Sequence, residues 1–445
     1  VVGLGKTGLS CVRYLHASGA DVAVTDTRYD PPGLDRAREE MPDLALFLGG
    51  FDPAVFAAAQ RLVVSPGVAL AEPLVAAAVA RGVEVLGDIE LFARVADAPV
   101  AAITGSNGKS TVTSLLGHMA GLAGVEVAVG GNLGEPVLEL LAEGVELYVL
   151  ELSSFQLETT WSLRPRVATV LNVSADHMDR YPSLDAYASA KARILEGAET
   201  GVLNRDDPLV AAMAGTARVD RGFTLGAPRI GGDYGLIDRD GETWLARGGD
   251  AFLRARELGI AGRHNLANAL AALCMGEACG LPRAAMLDAL RGFRGLPHRT
   301  VLVAELAGVR WYDDSKGTNP GATIAALEGL VDRAGGARAV LIAGGDCKGA
   351  DFGPLAAVVE RTARAVVLIG RDAPMIERVL TGRVPLLHAR DIGEAVRLAA
   401  ESALPGDCVL LSPACASFDM FDNYAHRGRV FAAAVDSMGA RGAGE

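Results

Sequence analysis

Short apolar runs alternate with helical patterns along the first ninety residues. VVGL, DVAVTD and RLVVSPG have strand length and composition, and Ala/Arg-rich segments separate them. That alternation predicts a parallel α/β unit. The pattern pauses at GDIELFARVADAP, and a new strand, PVAAITG, opens a second α/β unit. This unit holds the strands ELYVLE and VATVLNVS, then a Gly-rich section at 226–250 that reads as hairpins. GRHNLANALAALCMGEACG follows as a helix, with apolar positions recurring at three and four. LPHRT at 296–300 reads as a linker into a third unit with the strands VRWYDDS, RAVLIAGG, AVVLIG and CVLLSPA. The tail SMGARGAGE is expected to fray. The pattern thus gives three α/β units in series, over 1–90, 91–296 and 297–445, with polar residues at their strand ends. In open parallel sheets those carboxyl ends bind ligands.

Composition narrows the function classes. Of 445 residues, 50% are apolar and 22% charged, an ordinary globular balance. The net charge of −12 argues against a nucleic-acid partner. Glu, Arg, Asp or Pro interrupts every apolar run short of membrane-spanning length, so no membrane insertion is expected. Six scattered cysteines without a CxxC pair read as reduced thiols of a cytoplasmic protein. No signal peptide is evident. The chain starts at Val1 inside a strand-like run, so a few native residues are expected to precede it.

Two glycine loops carry the candidate chemistry. GLGKTGLS sets Gly3, Gly5 and Gly8 in G-x-G-x-x-G spacing between a strand and a helix, and Asp26 ends the next strand. On residues alone the loop suits a nicotinamide dinucleotide, another nucleotide-linked ligand or a bare turn. TGSNGKST forms a second loop, shorter than the common phosphate-binding pattern because only Ser106 and Asn107 lie between Gly105 and Gly108. Backbone N–H groups around Gly105–Lys109 can face phosphate oxygens. Lys109 supplies a point charge, and the hydroxyl of Ser110 or Thr111 can reach Mg²⁺. Glu151 ends an apolar strand and is either the carboxylate such a site needs or a solvated strand end. Asn172, Asp176, His177 and Asp179 cluster after the next strand, where His177 can bind metal, move a proton or be structural. Lys191, on the helix SLDAYASAKARI, reads by itself as a solvated side chain. Two nucleotide-type loops suggest a nucleotide-linked substrate on the first unit and ATP on the second.

With these motifs in hand, the chain resembles the Mur ligases, ATP-dependent amide ligases that build the peptide stem of the bacterial cell-wall precursor. The resemblance spans all three units. It is carried by TGSNGKST, ELSSFQLE, NVSADHMDRY, AYASAKARI, GRHNLANALAA, LPHRT, DDSKGTNPGAT, GGDCKG and LSPACASFDMFDNYAHRG. It implies a Rossmann-like N-terminal domain, a P-loop-type central ATPase domain and a Rossmann-like C-terminal domain. It makes Lys109 the phosphate lysine within an ATP loop of Gly105, Asn107, Gly108, Ser110 and Thr111. Asn265 and Asn268 fall where the family contacts adenine, and Arg299, Asp314 and Lys316 where it reaches ATP from the third unit. Ser110, Glu151 and His177 match the Mg²⁺ shell. Lys191 matches a lysine that CO₂ converts to a carbamate, which helps hold a second Mg²⁺. Asn132, in GGNLG, matches a substrate- and phosphate-side residue.

The third unit looks like the D-glutamate-adding branch. By that resemblance Lys348 pairs with an acceptor carboxylate, Thr318 and Ser417 hydrogen-bond to the acceptor, and Tyr424 packs near it. Tyr424 stands where Phe is expected, and Cys347 is an unusual neighbour for Lys348. The first unit of this branch binds the uridine diphosphate of UDP-N-acetylmuramoyl-L-alanine, here through Gly5, Thr7, Ser10, Asp26 and Thr27. GLGKTGLS also separates the chain from folylpolyglutamate-type ligases, which lack such a first unit. The expectation is a monomer whose third unit closes onto the second about a hinge near Leu296–Arg299.

Overall fold

The computed structural model describes residues 1–260, 262–331 and 336–442. In the first unit five strand positions lie in parallel, in the order Ala45–Leu48, Ala23–Asp26, Val2, Arg61–Val63 and Glu84–Leu86. The chain order reverses at the central position, which is a crevice-forming switch point. VVGL, expected as a strand, is reduced to a bridge from buried Val2 to Thr25 and Val64. The cause is Gly3, whose φ of 92° turns the chain out of the sheet at once and into the helix Lys6–Ala17.

The second sheet has nine strands. Its order is Asp250–Arg254, Glu242–Arg247, Tyr234–Arg239, Val219–Phe223, Thr200–Asn204, Val167–Val170, Val100–Thr104, Leu147–Glu151 and Val127–Gly131. Pairing is parallel from Val127–Gly131 as far as Tyr234–Arg239. The expected hairpins then appear as two antiparallel pairs. Val100–Thr104 and Leu147–Glu151 are buried along their whole length, as parallel strands covered on both faces must be. The helices Lys109–Leu122, Arg263–Ala278 and Arg283–Gly292 cover one face. On the other, Cys11, Leu86, Ile89 and Phe92 of the chain's first part share a core with Tyr148 and Leu150. The first two sheets are therefore joined by continuous apolar packing.

The third sheet runs Val301–Leu306, Val309–Asp313, Cys408–Leu411, Ala339–Gly344, Ala363–Ile369 and Leu386–His388. Only its first pair is antiparallel. It has apolar clusters of its own on both faces. The linker at 296–300 is irregular, and His298 (φ 63°) and Thr300 (φ 53°) both occupy the left-handed region. The tail expected to fray is helical instead: Tyr424–Gly442 forms one helix anchored by buried Phe431 and Val435, and 443–445 lie outside the described residues.

Candidate active site

Strand Val100–Thr104 delivers the phosphate loop to the sheet's carboxyl edge. Gly108 needs its left-handed φ of 83°, and a Cβ there would sit 2.4 Å from Asn268 Oδ1. Asn172 braces the loop: its Oδ1 accepts from Asn107 N at 2.8 Å, and its Nδ2 donates to the Asn107 carbonyl at 3.0 Å. Ser106 and Ser174 also exchange two bonds. Lys109 donates back to the carbonyls of Gly105 (2.7 Å) and Ser106 (3.0 Å), a curled pose held inside its own loop.

Glu151 sits at the centre of a buried polar relay. Ser110 Oγ donates to its Oε2 at 2.6 Å, and Asn132 Nδ2 to its Oε1 at 2.7 Å. Arg299, from the inter-unit linker, donates to Ser110 Oγ at 2.8 Å. Burial alone would raise the Glu151 carboxyl. The Lys109 charge and the bonds from Ser110 and Asn132 outweigh burial and hold it below the usual carboxylate range.

Lys191 is not the solvated side chain that its helix alone suggests. It is 1% exposed, its Nζ donates to the Gly105 carbonyl at 3.0 Å, and it lies 4.4 Å from the Tyr187 ring centroid. Burial, then the nearby Lys109 charge, push its pKa well below that of an ordinary lysine. His177 is held in the left-handed region at φ 57°, edge-on to Phe155. Burial lowers its pKa; Asp176 opposes the shift, and the charges of Lys348, Lys191 and Lys109 reinforce it.

A cavity of about 670 Å³ opens beside this centre, a size suited to a nucleotide. Its walls include Asn107 and Gly108 of the phosphate loop, Thr111, Asn265 and Asn268 on helices of the second unit, Arg299 of the linker, and Asp314 and Lys316 of the third unit. Gly105, Lys109 and Ser110 lie behind that wall rather than on it. Asp314 is buried and pushed up to about 6, against bonds from Ser412 and Thr300 and the Arg299 charge. Burial and Arg299 bring Lys316 down to about 8.

The second cavity, about 570 Å³, lies at the first sheet's switch point. Gly5, Thr7, Asp26 and Thr27 line it, and Gly131, Asn132 and Gln156 close its far end. Asn132 therefore faces this cavity while its amide holds Glu151. Ser10 is not on the wall: its side chain is buried within the helix Lys6–Ala17. Asp26 is on the wall, but its oxygens are already engaged by Leu4 N at 2.7 Å and by Arg28. Burial would raise this carboxyl, yet the Arg28 and Leu4 bonds bring it down to about 2. These bonds fix the loop and orient Arg28, a lining residue that the glycine pattern did not reveal.

Four residues were expected around the acceptor. Ser417 is buried, while Lys348 is exposed, with Nζ 5.8 Å from the Phe418 ring centroid. Thr318 is half-buried beside the Lys316 turn. Tyr424 has its ring 4.8 Å from Lys316 Nζ and edge-on to His298. All six cysteines are free thiols. Sequence reasoning also missed Asn319, although an Asn before Pro at a helix start is an N-cap signature.

For Mg²⁺ the donor set fits in part. Among the described residues no three His, Cys, Asp or Glu side chains converge. Ser110 Oγ and the Glu151 carboxylate are paired hard oxygen donors of the kind Mg²⁺ takes. Lys191 and His177, as nitrogen groups, add none in their unmodified form.

Three family models match successive parts of the chain. Residues 1–87 match the Mur ligase MurD-like N-terminal domain, 103–276 the Mur ligase middle domain, and 298–415 the Mur ligase glutamate ligase domain. A UDP-N-acetylmuramoylalanine–D-glutamate ligase of Nitrosococcus oceani is 58% identical over 436 residues, covering 98% of this chain and 95% of that protein. One from Pseudomonas aeruginosa is 53% identical, with 98% and 97% covered. Among solved structures, the UDP-N-acetylmuramate-alanine ligase of Thermotoga maritima shares the fold at TM-score 0.61 and 21% identity, over 98% of each chain.

Proposed function

The chain belongs to the Mur ligase family, and from that premise we propose that it is an ATP-dependent ligase joining D-glutamate to UDP-N-acetylmuramoyl-L-alanine in peptidoglycan precursor synthesis. One observation carries the site-level reading. An unbroken relay, Arg299–Ser110–Glu151–Asn132, links the wall of the nucleotide-sized cavity to the wall of the switch-point cavity. A donor carboxylate lying in the second cavity would meet a γ-phosphate lying in the first at Glu151.

The chemistry follows from what a carboxylate lacks. It is a poor electrophile, so its oxygen first takes the γ-phosphoryl group of ATP, and ADP leaves. The D-glutamate amine, having lost a proton, then attacks the acyl phosphate carbon. The tetrahedral adduct collapses to an amide and inorganic phosphate. On this reading Lys109 uncurls from the Gly105 and Ser106 carbonyls to meet the phosphates. Asn265 and Asn268 hold the base, and Arg299, Asp314 and Lys316 close over the nucleotide. Gly5, Thr7, Thr27 and Arg28 hold the uridine diphosphate, whose charge suits the helix N-terminus at Lys6. Ser417, Thr318 and Lys348 take the acceptor.

Mg²⁺ would be held by Ser110 and Glu151, and when bound it screens the anionic groups that must approach each other. Burial beside Lys109 pushes the Lys191 amine well below the ordinary lysine range, which favours its reaction with CO₂. Its carbamate would supply the oxygen ligands for a second ion that the amine does not. His177, edge-on to Phe155 and beside Asp176, would accept the ammonium proton. ATP, a nucleotide sugar and free thiols all point to the cytoplasm, and no described helix is long and apolar enough to cross a membrane.

Phosphate release with ATP, Mg²⁺ and UDP-N-acetylmuramoyl-L-alanine tests the reading, with D-glutamate, L-glutamate and L-lysine supplied in parallel. Turnover with D-glutamate alone is expected. Turnover only with another amino acid would keep the ligase chemistry and overturn the acceptor assignment, and no turnover with any would overturn both.

A further inference from the structure

We propose that Asn319 is the positioning residue that registers the third unit on the phosphate loop, and that its amide bonds to Asn107 and Asp176 select the compact, catalytically assembled arrangement. The inference rests on the ligase reading only for its activity arm.

Asn319 is 6% exposed and uses its whole amide. Its Oδ1 accepts from Ala322 N at 2.9 Å, capping the helix Pro320–Leu330. Its Nδ2 donates to Asn107 Oδ1 at 3.2 Å and to Asp176 Oδ2 at 3.2 Å. Asn107 Nδ2 returns a long bond of 3.5 Å to the same Oδ1. One side chain thus ties a helix start of the third unit to two different strand-end loops of the second. Gly321 permits the approach, since a Cβ there would lie 2.9 Å from Ser174 Oγ.

The consequence follows from what else holds the units together. Among the described residues the apolar clusters on the two faces of the third sheet draw on nothing before 303, and the third unit meets the second through the helix Pro320–Leu330 against Arg263–Ala278 and through a few polar bonds. Polar contacts set the fine register of that packing, and bonds with one charged partner, Asn319 to Asp176 and Arg299 to Ser110, are the stronger kind among them. Asn319 is three residues from Lys316 and five from Asp314, both on the nucleotide cavity wall. Shifting the Asn319 contact moves those two groups directly. Because Asn107 belongs to the phosphate loop, the contact also reads that loop's conformation.

Asn319→Asp separates the latch from the fold. Asp caps a helix as well as Asn, but it cannot donate, and it sets a second carboxylate against Asp176. Adding Asp176→Asn restores a donor–acceptor pair with the roles reversed. Small-angle scattering of the full chain and steady-state phosphate release are measured for the wild type, N319D, D176N and the double variant. Thermal unfolding confirms the fold in each. The expected result is a larger radius of gyration for N319D, with kcat/KM lower by about ten- to a hundredfold. The double variant should regain the wild-type radius and most of the activity lost from N319D. Wild-type compactness in N319D would overturn the proposal, as would a double variant no more compact than N319D. A wild type that does not turn over D-glutamate would count against the ligase reading alone, because the scattering comparison needs no substrate.

Discussion

Lys191 and Asp88 are both ionisable groups taken out of water, and burial drives each toward its neutral form from opposite sides. For Lys191 that favours the unprotonated amine. For Asp88, at the start of the helix Asp88–Ala93, it raises the carboxyl to about 6, and a 2.8 Å bond from Gln156 offsets only part of the shift. The sign for stability is fixed by comparison with the unfolded value of 3.8. Between 3.8 and about 6 the folded chain binds the extra proton, so Asp88 supports the fold below that window and weakens it as pH rises through it. Asp88→Asn keeps the shape and an acceptor for Gln156 without the charge. It should raise stability by about 1–3 kcal/mol at pH 8 and by little at pH 4. Thermal unfolding of both proteins across that range checks this, and an equal gain at both pH values would refute the assignment. Asp314, also raised to about 6, leaves a residual slope of the same sign.

At the scale of elements, the glycine loops show how a close approach replaces sequence-visible packing. A Cβ on Gly8 would lie 2.0 Å from the Gly3 carbonyl oxygen, whereas one on Gly5 would meet nothing within 4 Å. Gly8→Ala should therefore cost about 1–3 kcal/mol by overpacking and lower UDP binding with it. Gly5→Ala should leave the unfolding midpoint near wild type. Matched calorimetry of the two variants is the check, and equal midpoints would remove the close-approach argument. The same contrast explains which elements were legible. Buried parallel strands such as Val100–Thr104 announce themselves as apolar runs. Ala45–Leu48 is an edge strand with alternating exposure, and Val219–Phe223 carries Asp220, Arg221 and Gly222 because one end is open to solvent; neither stands out by composition. The site was legible where chemistry forces a residue type, as at Glu151 and Lys109. Asp26 reads as a ligand contact in sequence because carboxylate placement after a strand is visible, while its partner Arg28 is not. Ser10 fails for a simpler reason: its position on the helix turns it inward.

Among the described residues the first two sheets share an apolar core, while the third sheet's clusters are its own and its chain connection to the second is the linker at 296–300. The expected hinge near Leu296–Arg299 coincides with two left-handed residues, His298 and Thr300. His298 is in turn fixed to the third unit by a 2.6 Å contact with Asp313. Arg299 sits between them and points the other way, to Ser110 of the second unit. It is a buried cation whose own burial disfavours its charge, offset by Glu151 and then Asp314. Removing it should therefore do more than delete one bond to the nucleotide cavity: it uncouples the linker from the Ser110–Glu151 relay. Arg299→Ala should lower kcat/KM for ATP by about a hundredfold or more. Binding of the UDP-linked substrate should stay near wild type, because the second cavity is bounded by Asn132 on the far side of Glu151. Arg299→Lys keeps the charge but not the planar fork, and should recover only part of the loss. Phosphate release and a calorimetric titration of UDP-N-acetylmuramoyl-L-alanine separate the two effects. If both constants fell together in Arg299→Ala, the relay would be serving the fold of the centre rather than joining nucleotide to substrate.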